Sequence, residues 1–190
     1  MRDREVNLLS LESEIARRAV MSIPEGKAIG PAGLPFSLSA RMYTQAMKLL
    51  REGQFAAAAT LFEFAISQNS RDAGAENNLG FCLMPEDAAA ALEHLERATH
   101  LSYESPFINL HNRATCEMRL DHPAAALKLI EEGWGDGEYV GTATLWVISD
   151  GELVLTERAD VVREVATLAA QAAEKLGHQE DQVKWESLAA

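Results

Sequence analysis

A repeat with a period of roughly 34 residues constrains this chain more than any other feature. One such period separates Ala46 from Gly80, and an equal one separates Gly80 from Ala114. Ala58, Ala91 and Ala126 follow, the first step one residue short of the period and the second one residue over it. Phe62, Leu95 and Ile130 repeat that pattern four residues on, and Ala65, Ala98 and Gly133 three residues further. Four columns therefore recur three times: small, small, large apolar, small. The one-residue slip in the second copy falls at "LMPED" and is recovered near "ESP". Self-similarity at a fixed period points to stacked supersecondary units, each unable to bury its apolar face alone.

Every copy carries turn residues between two stretches with helical apolar spacing. "REGQF", "MPED" and "LDHP" are the turns, with Gly53 and Asp121 in the same slot and Pro85 and Pro123 at helix boundaries. "TQAMKLL" and "AAAATLFEFAI" flank the first turn with helical periodicity. Abundant alanine and sparse β-branched residues favour helix in the same way. The unit is a helix–turn–helix.

Those columns resemble the tetratricopeptide repeat family. The resemblance rests on Ala46, Gly53, Phe55, Ala58, Phe62 and Ala65 in the first copy. It rests on "NLG" (Asn78 to Gly80) with Ala91, Leu95 and Ala98 in the second, and on "NRA" (Asn112 to Ala114) with Ala126 and Ile130 in the third. Met42 and Glu76 stand where the family has a large aromatic residue, and Ser70 and Tyr103 where it has a closing proline. The implied fold is mainly α: a short right-handed α-solenoid of three repeats, residues 39–72, 73–106 and 107–140. Residues 1–38 add an amphipathic helix and a Pro/Gly-rich loop. Residues 141–190 add a C-terminal cap.

The N-terminal helix spans residues 3–22, with Leu8, Leu11, Ile15 and Ala19 on one side. It is expected to cap the solenoid, occupy its groove or form a homodimer. In the C-terminal cap, the period calls for a fourth repeat helix, but Asp150-Gly151 between β-branched and aromatic residues signals a hairpin. The expectation is a β-hairpin pairing Leu145–Ser149 with Leu153–Thr156. A helix over "ERADVVREVATLAAQAAEKLG" follows, then a short helix with Trp185 packing back.

Motifs for chemistry are missing from the sequence. It has no GxSxG, no Cys–His signature, no HExxH and no phosphate-cradling GxxxxGK[ST]. The histidines and the paired carboxylates Glu131-Glu132 and Glu180-Asp181 read as surface or groove residues. Cys82 and Cys116 share one slot in successive repeats and read as core thiols, which suits a reducing cytoplasm. The chain is expected to be neither an enzyme nor a cofactor or metal binder. A net charge of −12 argues against nucleic acid, and no apolar run reaches membrane-spanning length. The N-terminal segment lacks the continuous apolar stretch of a secretory signal.

What the resemblance implies about function is a protein partner, a peptide or amphipathic helix held in the concave groove. The groove-facing slots are Tyr43, Met47, Leu50 and Arg51 in the first repeat, Asn77, Phe81 and Met84 in the second, and His111, Thr115 and Arg119 in the third. Aromatic and methionine side chains mixed with hydrogen-bonding groups suit an adaptable apolar contact. Some relatives clamp a C-terminal carboxylate with Lys, Arg and Asn; here Asn77 matches, but the basic slots hold Tyr43, Ile108 and Asn112, so no clamp is expected. The leading reading is a non-catalytic cytoplasmic adaptor or regulator. A narrower one is a dedicated chaperone for a secreted client, similar to the tetratricopeptide chaperones of type III secretion. A third, an enzyme or enzyme subunit, has no motif behind it.

Overall fold

A computed structural model describes residues 38–135 and 141–190, so the expected helix at residues 3–22 and its loop lie outside the described residues. Six helices come first: α1 (Leu38–Arg51), α2 (Phe55–Gln68), α3 (Ala73–Leu83), α4 (Ala88–His100), α5 (Pro106–Arg119) and α6 (Pro123–Gly133). A two-stranded antiparallel hairpin follows, β1 (Thr142–Ser149) and β2 (Glu152–Asp160), and then α7 (Val161–Leu176) and α8 (Gln179–Ala189). Each helix of the repeats packs on the next in sequence, the nearest-neighbour stacking of a solenoid.

Local chemistry explains the boundaries. The carboxylates of Asp72, Asp87 and Asp160 accept the backbone N–H groups of Ala75, Ala90 and Arg163 at 2.9, 2.9 and 3.1 Å, capping α3, α4 and α7. Proline opens α5 and α6, where its missing N–H is no loss. Gly53 and Asp121, paired by the sequence repeat, both turn with positive φ, +72° and +60°.

The small columns are contact points. Ala46, Ala58, Ala91, Ala98, Ala114 and Ala126 are all buried, with Phe62, Leu95 and Ile130 wedged beside them. Met42, in the slot where the family has an aromatic, is also buried. Glu76, in the equivalent slot of the second repeat, is buried too: its carboxyl group lies 2.6 Å from His94 Nδ1 and 3.3 Å from Arg97 Nε, both on α4. Paired on two sides, it avoids the cost of an isolated buried ion. His94 is therefore a structural partner of Glu76.

The C-terminal region contains both the hairpin and a further helical pair. Asp150 and Gly151 take φ of +51° and +81°, the two positive values a tight hairpin turn needs. The strands are longer than the expected Leu145–Ser149 and Leu153–Thr156. They extend past an irregularity where Glu157 and Arg158 lie opposite Thr144 alone, with Arg158 at φ +55°. The following helix accordingly starts at Val161, capped by Asp160, and not at Glu157. After the hairpin the repeat columns resume. Trp185 follows Ala169 at the same separation as Phe62 follows Ala46 and Ile130 follows Ala114. Both are fully buried, and the Trp185 ring meets Trp134 edge-on at 4.9 Å. The hairpin thus interrupts the repeat, and α7 packs on α5 and α6 behind it.

Candidate partner-binding groove

The slots expected to line a groove lie on α1, α3 and α5. On α1, Tyr43, Met47 and Leu50 are half-buried and Arg51 is exposed. The Asn78 amide donates to the Tyr43 hydroxyl at 2.9 Å and reaches the Met47 sulfur at 3.3 Å, tying the first repeat to the second. Burial, with a smaller contribution from Asp72, raises the Tyr43 pKa, so this hydroxyl stays protonated.

Deeper along the face the slots are covered. Asn77, Phe81, Met84, His111 and Thr115 are all buried, while Arg119 is exposed. Asn77 accepts from the Asn109 amide at 3.1 Å, and Asn109 also donates to the Leu95 carbonyl at 3.0 Å and accepts from the Thr99 hydroxyl at 2.7 Å. Thr115 donates to the His111 carbonyl at 2.9 Å. Arg119 reaches across to the Pro85 carbonyl at 3.1 Å.

What covers Phe81 is the hairpin, and Met84 belongs to the same apolar cluster. Trp146 on β1 stacks at a tilt on Phe81 and Phe55, with ring centroids 5.8 and 5.1 Å away, and Leu153 and Leu155 on β2 join the same cluster. The Trp146 indole N–H donates to the Phe81 carbonyl at 3.1 Å. That carbonyl is available for a covalent reason. Four residues on, the helical donor would be Pro85, which has no N–H. A proline thus opens one acceptor in α3, and a tryptophan far along the chain fills it. The sequence carried both halves of this pairing, but no local rule joins them.

His111 is buried, and its Nδ1 has no hydrogen-bond partner among the described residues. Burial pushes its pKa down to about 4. The neighbouring Asn112 amide opposes this only in part, since neither of its polar atoms reaches a partner in hydrogen-bonding geometry. A depressed histidine pKa stabilises the fold above the ordinary pKa of 6.5 and ceases to do so as pH falls through about 4. We expect acid to lower stability through this window, and His111→Gln to flatten that dependence in urea titrations at stepped pH. An unchanged slope would show that His111 is not responsible. Cys82 and Cys116 are buried free thiols whose pKa values burial pushes up to about 12, so neither is a nucleophile at neutral pH. Among the described residues no three His, Cys, Asp or Glu side chains gather in a metal-binding group, and no helix is long and apolar enough to cross a membrane.

Paired helices and recurring small columns define a tetratricopeptide-type helical repeat fold. Solved structures agree in fold. YrrB, described as a TPR protein with an unusual peptide-binding site, superposes with a TM-score of 0.59 at 13% identity over 80% of this chain and 66% of its own. MamA gives 0.62 at 14% identity over 80% of this chain and 75% of its own. A Podosopora anserina putative kinesin light chain with nearly identical TPR-like repeats gives 0.59 at 12% over 98% and 87%. This chain therefore spans just under two thirds of YrrB's length. No family model and no curated protein matches the sequence.

Proposed function

We propose that this chain is a non-catalytic protein-interaction scaffold, an adaptor or regulator, that engages a peptide or helix of another protein. The observation that carries this reading is that, among the described residues, Tyr43, Met47 and Leu50 of α1 are half-buried and Arg51 is exposed, beside the apolar cluster that Trp146 of the hairpin joins. A thioether, an aromatic ring and an aliphatic side chain make an adaptable apolar strip, and Arg51 at its edge supplies a hydrogen-bonding charge. The name given to YrrB, a peptide-binding tetratricopeptide protein, supports the same reading by analogy of fold. The acidic balance disfavours nucleic acid as the partner, and two reduced buried thiols suit a cytoplasmic setting. Dimerisation through residues 3–22 concerns a segment outside the described residues.

Phe81 is unsuited to a test of this site, because it is a structural neighbour of Trp146. Met47→Glu combined with Arg51→Glu places charge on the open part of the face. Affinity purification from the native host with wild type and variant in parallel, read by quantitative mass spectrometry, is the measurement. Partners recovered by the wild type should fall about ten-fold or more with the variant, with the helical circular dichroism retained. Recovery of the same partners by a folded variant would refute the groove assignment. A secreted client among those lost would identify a chaperone, and a regulatory protein an adaptor.

A further inference from the structure

We infer that a cavity between the end of α4 and the start of α5, distinct from the groove, binds a small organic monocarboxylate with a flat aromatic body. The cavity measures about 550 Å³, and its walls include Phe107, Leu110 and Trp134, with Thr99 and Arg113 at its polar side. Phe107 and Trp134 pack at a tilt, centroids 5.7 Å apart. That volume is within the usual range for small-molecule sites.

Arg113 is the anomaly that points to a ligand. It precedes Ala114 as Leu79 precedes Gly80 and as Leu168 precedes Ala169. Leu79 and Leu168 are buried apolar residues and the first repeat has the half-buried Gln45 in that slot, so Arg113 alone places a charge there. Its Nε is buried without a partner among the described residues. The hydrogen bond it does make, from a terminal nitrogen to the Thr99 hydroxyl, is long at 3.5 Å. Thr99 is itself engaged with the Leu95 carbonyl and Asn109. Among the described residues no carboxylate lies within ion-pair distance of Arg113, although the chain carries 29 acidic residues.

The walls decide the ligand class. A guanidinium beside apolar surface gains more from an anion than one in open water, because the pair is screened less. The Asn109 amide is spent on Asn77, Leu95 and Thr99, so Arg113 supplies the charge recognition alone. Arg113 is the one cationic side chain in the lining, beside the Ser102 and Tyr103 hydroxyls, and a single positive charge suits a monocarboxylate better than a doubly charged phosphate. The Phe107 and Trp134 rings provide surface for an aromatic body.

The test uses 4-phenylbutyrate and its uncharged analogue 4-phenylbutanol, titrated calorimetrically and by tryptophan fluorescence. Wild type should bind the acid saturably, and the alcohol about ten-fold more weakly or worse. Arg113→Leu should lose the preference for the acid while melting at or above the wild-type temperature, since two other copies of the slot bury a leucine. Arg113→Gln, which keeps a polar side chain without the charge, should lose it too. Equal affinity for acid and alcohol, undiminished acid binding by either variant, or no saturable binding of the acid at millimolar concentration would each overturn the proposal.

Discussion

Trp146→Ala is expected to cost roughly 3–5 kcal/mol of stability, lowering the melting temperature by about 6–20 °C in a chain of this size. Three losses combine. The indole leaves a hole beside Phe55 and Phe81, and the Phe81 carbonyl loses the donor that replaces the absent Pro85 N–H. The hairpin also loses the side chain that docks it on the concave face. Trp146→Phe separates packing from hydrogen bonding: it keeps an aromatic ring and should cost about 1–3 kcal/mol, the penalty of an unsatisfied buried carbonyl. Pro85→Ala restores a backbone N–H four residues after Phe81. In that background Trp146→Phe should be milder, and the coupling in the double-mutant cycle measures the shared carbonyl. Thermal and urea denaturation followed by circular dichroism provides the readout. A melting temperature unchanged by Trp146→Ala would mean that the hairpin does not hold the groove closed.

The same contact shows how far the sequence could be read. Columns such as Ala46, Gly80 and Ala114 reveal the helical repeat because packing in a solenoid is local in sequence. The hairpin was legible for a similar reason, since Asp150-Gly151 carries its own turn geometry. Its strand ends were not, because the irregularity at Glu157 and Arg158 depends on how β2 fits its partner. The resemblance suggested which side chains would face a groove, but could not tell which of them stay uncovered. Phe81 is covered by a hairpin that lies three helices further along the chain, and Asn77 is spent on Asn109. The oddness of Arg113 was visible in the pairing of "NRA" with "NLG"; the cavity that gives it meaning was not.

Gly80→Leu is expected to be at least as damaging as an overpacked core usually is, about 3 kcal/mol. Even a Cβ at this position would lie 2.7 Å from Leu95 Cγ and 2.9 Å from the Ala91 carbonyl oxygen. Leu95 could shift, but the Ala91 oxygen belongs to the backbone of α4, so relief requires moving a helix. For Gly80→Ala the same clash is set against a gain of roughly 1 kcal/mol in helix propensity, so its net loss should be smaller but still unfavourable. The equivalent slots in the other repeats hold alanine without difficulty, and chain length accounts for the difference. The step from Gly80 to Ala91 is shorter by one residue than the steps from Ala46 to Ala58 and from Ala114 to Ala126. The shorter connection at "LMPED" draws α4 onto α3, and only glycine leaves room for it. Adding one residue to that turn in the Gly80→Ala background should therefore recover part of the lost stability. The same insertion in the wild type should not raise it. If the insertion lowers the melting temperature equally in both backgrounds, the glycine and the short turn are unrelated.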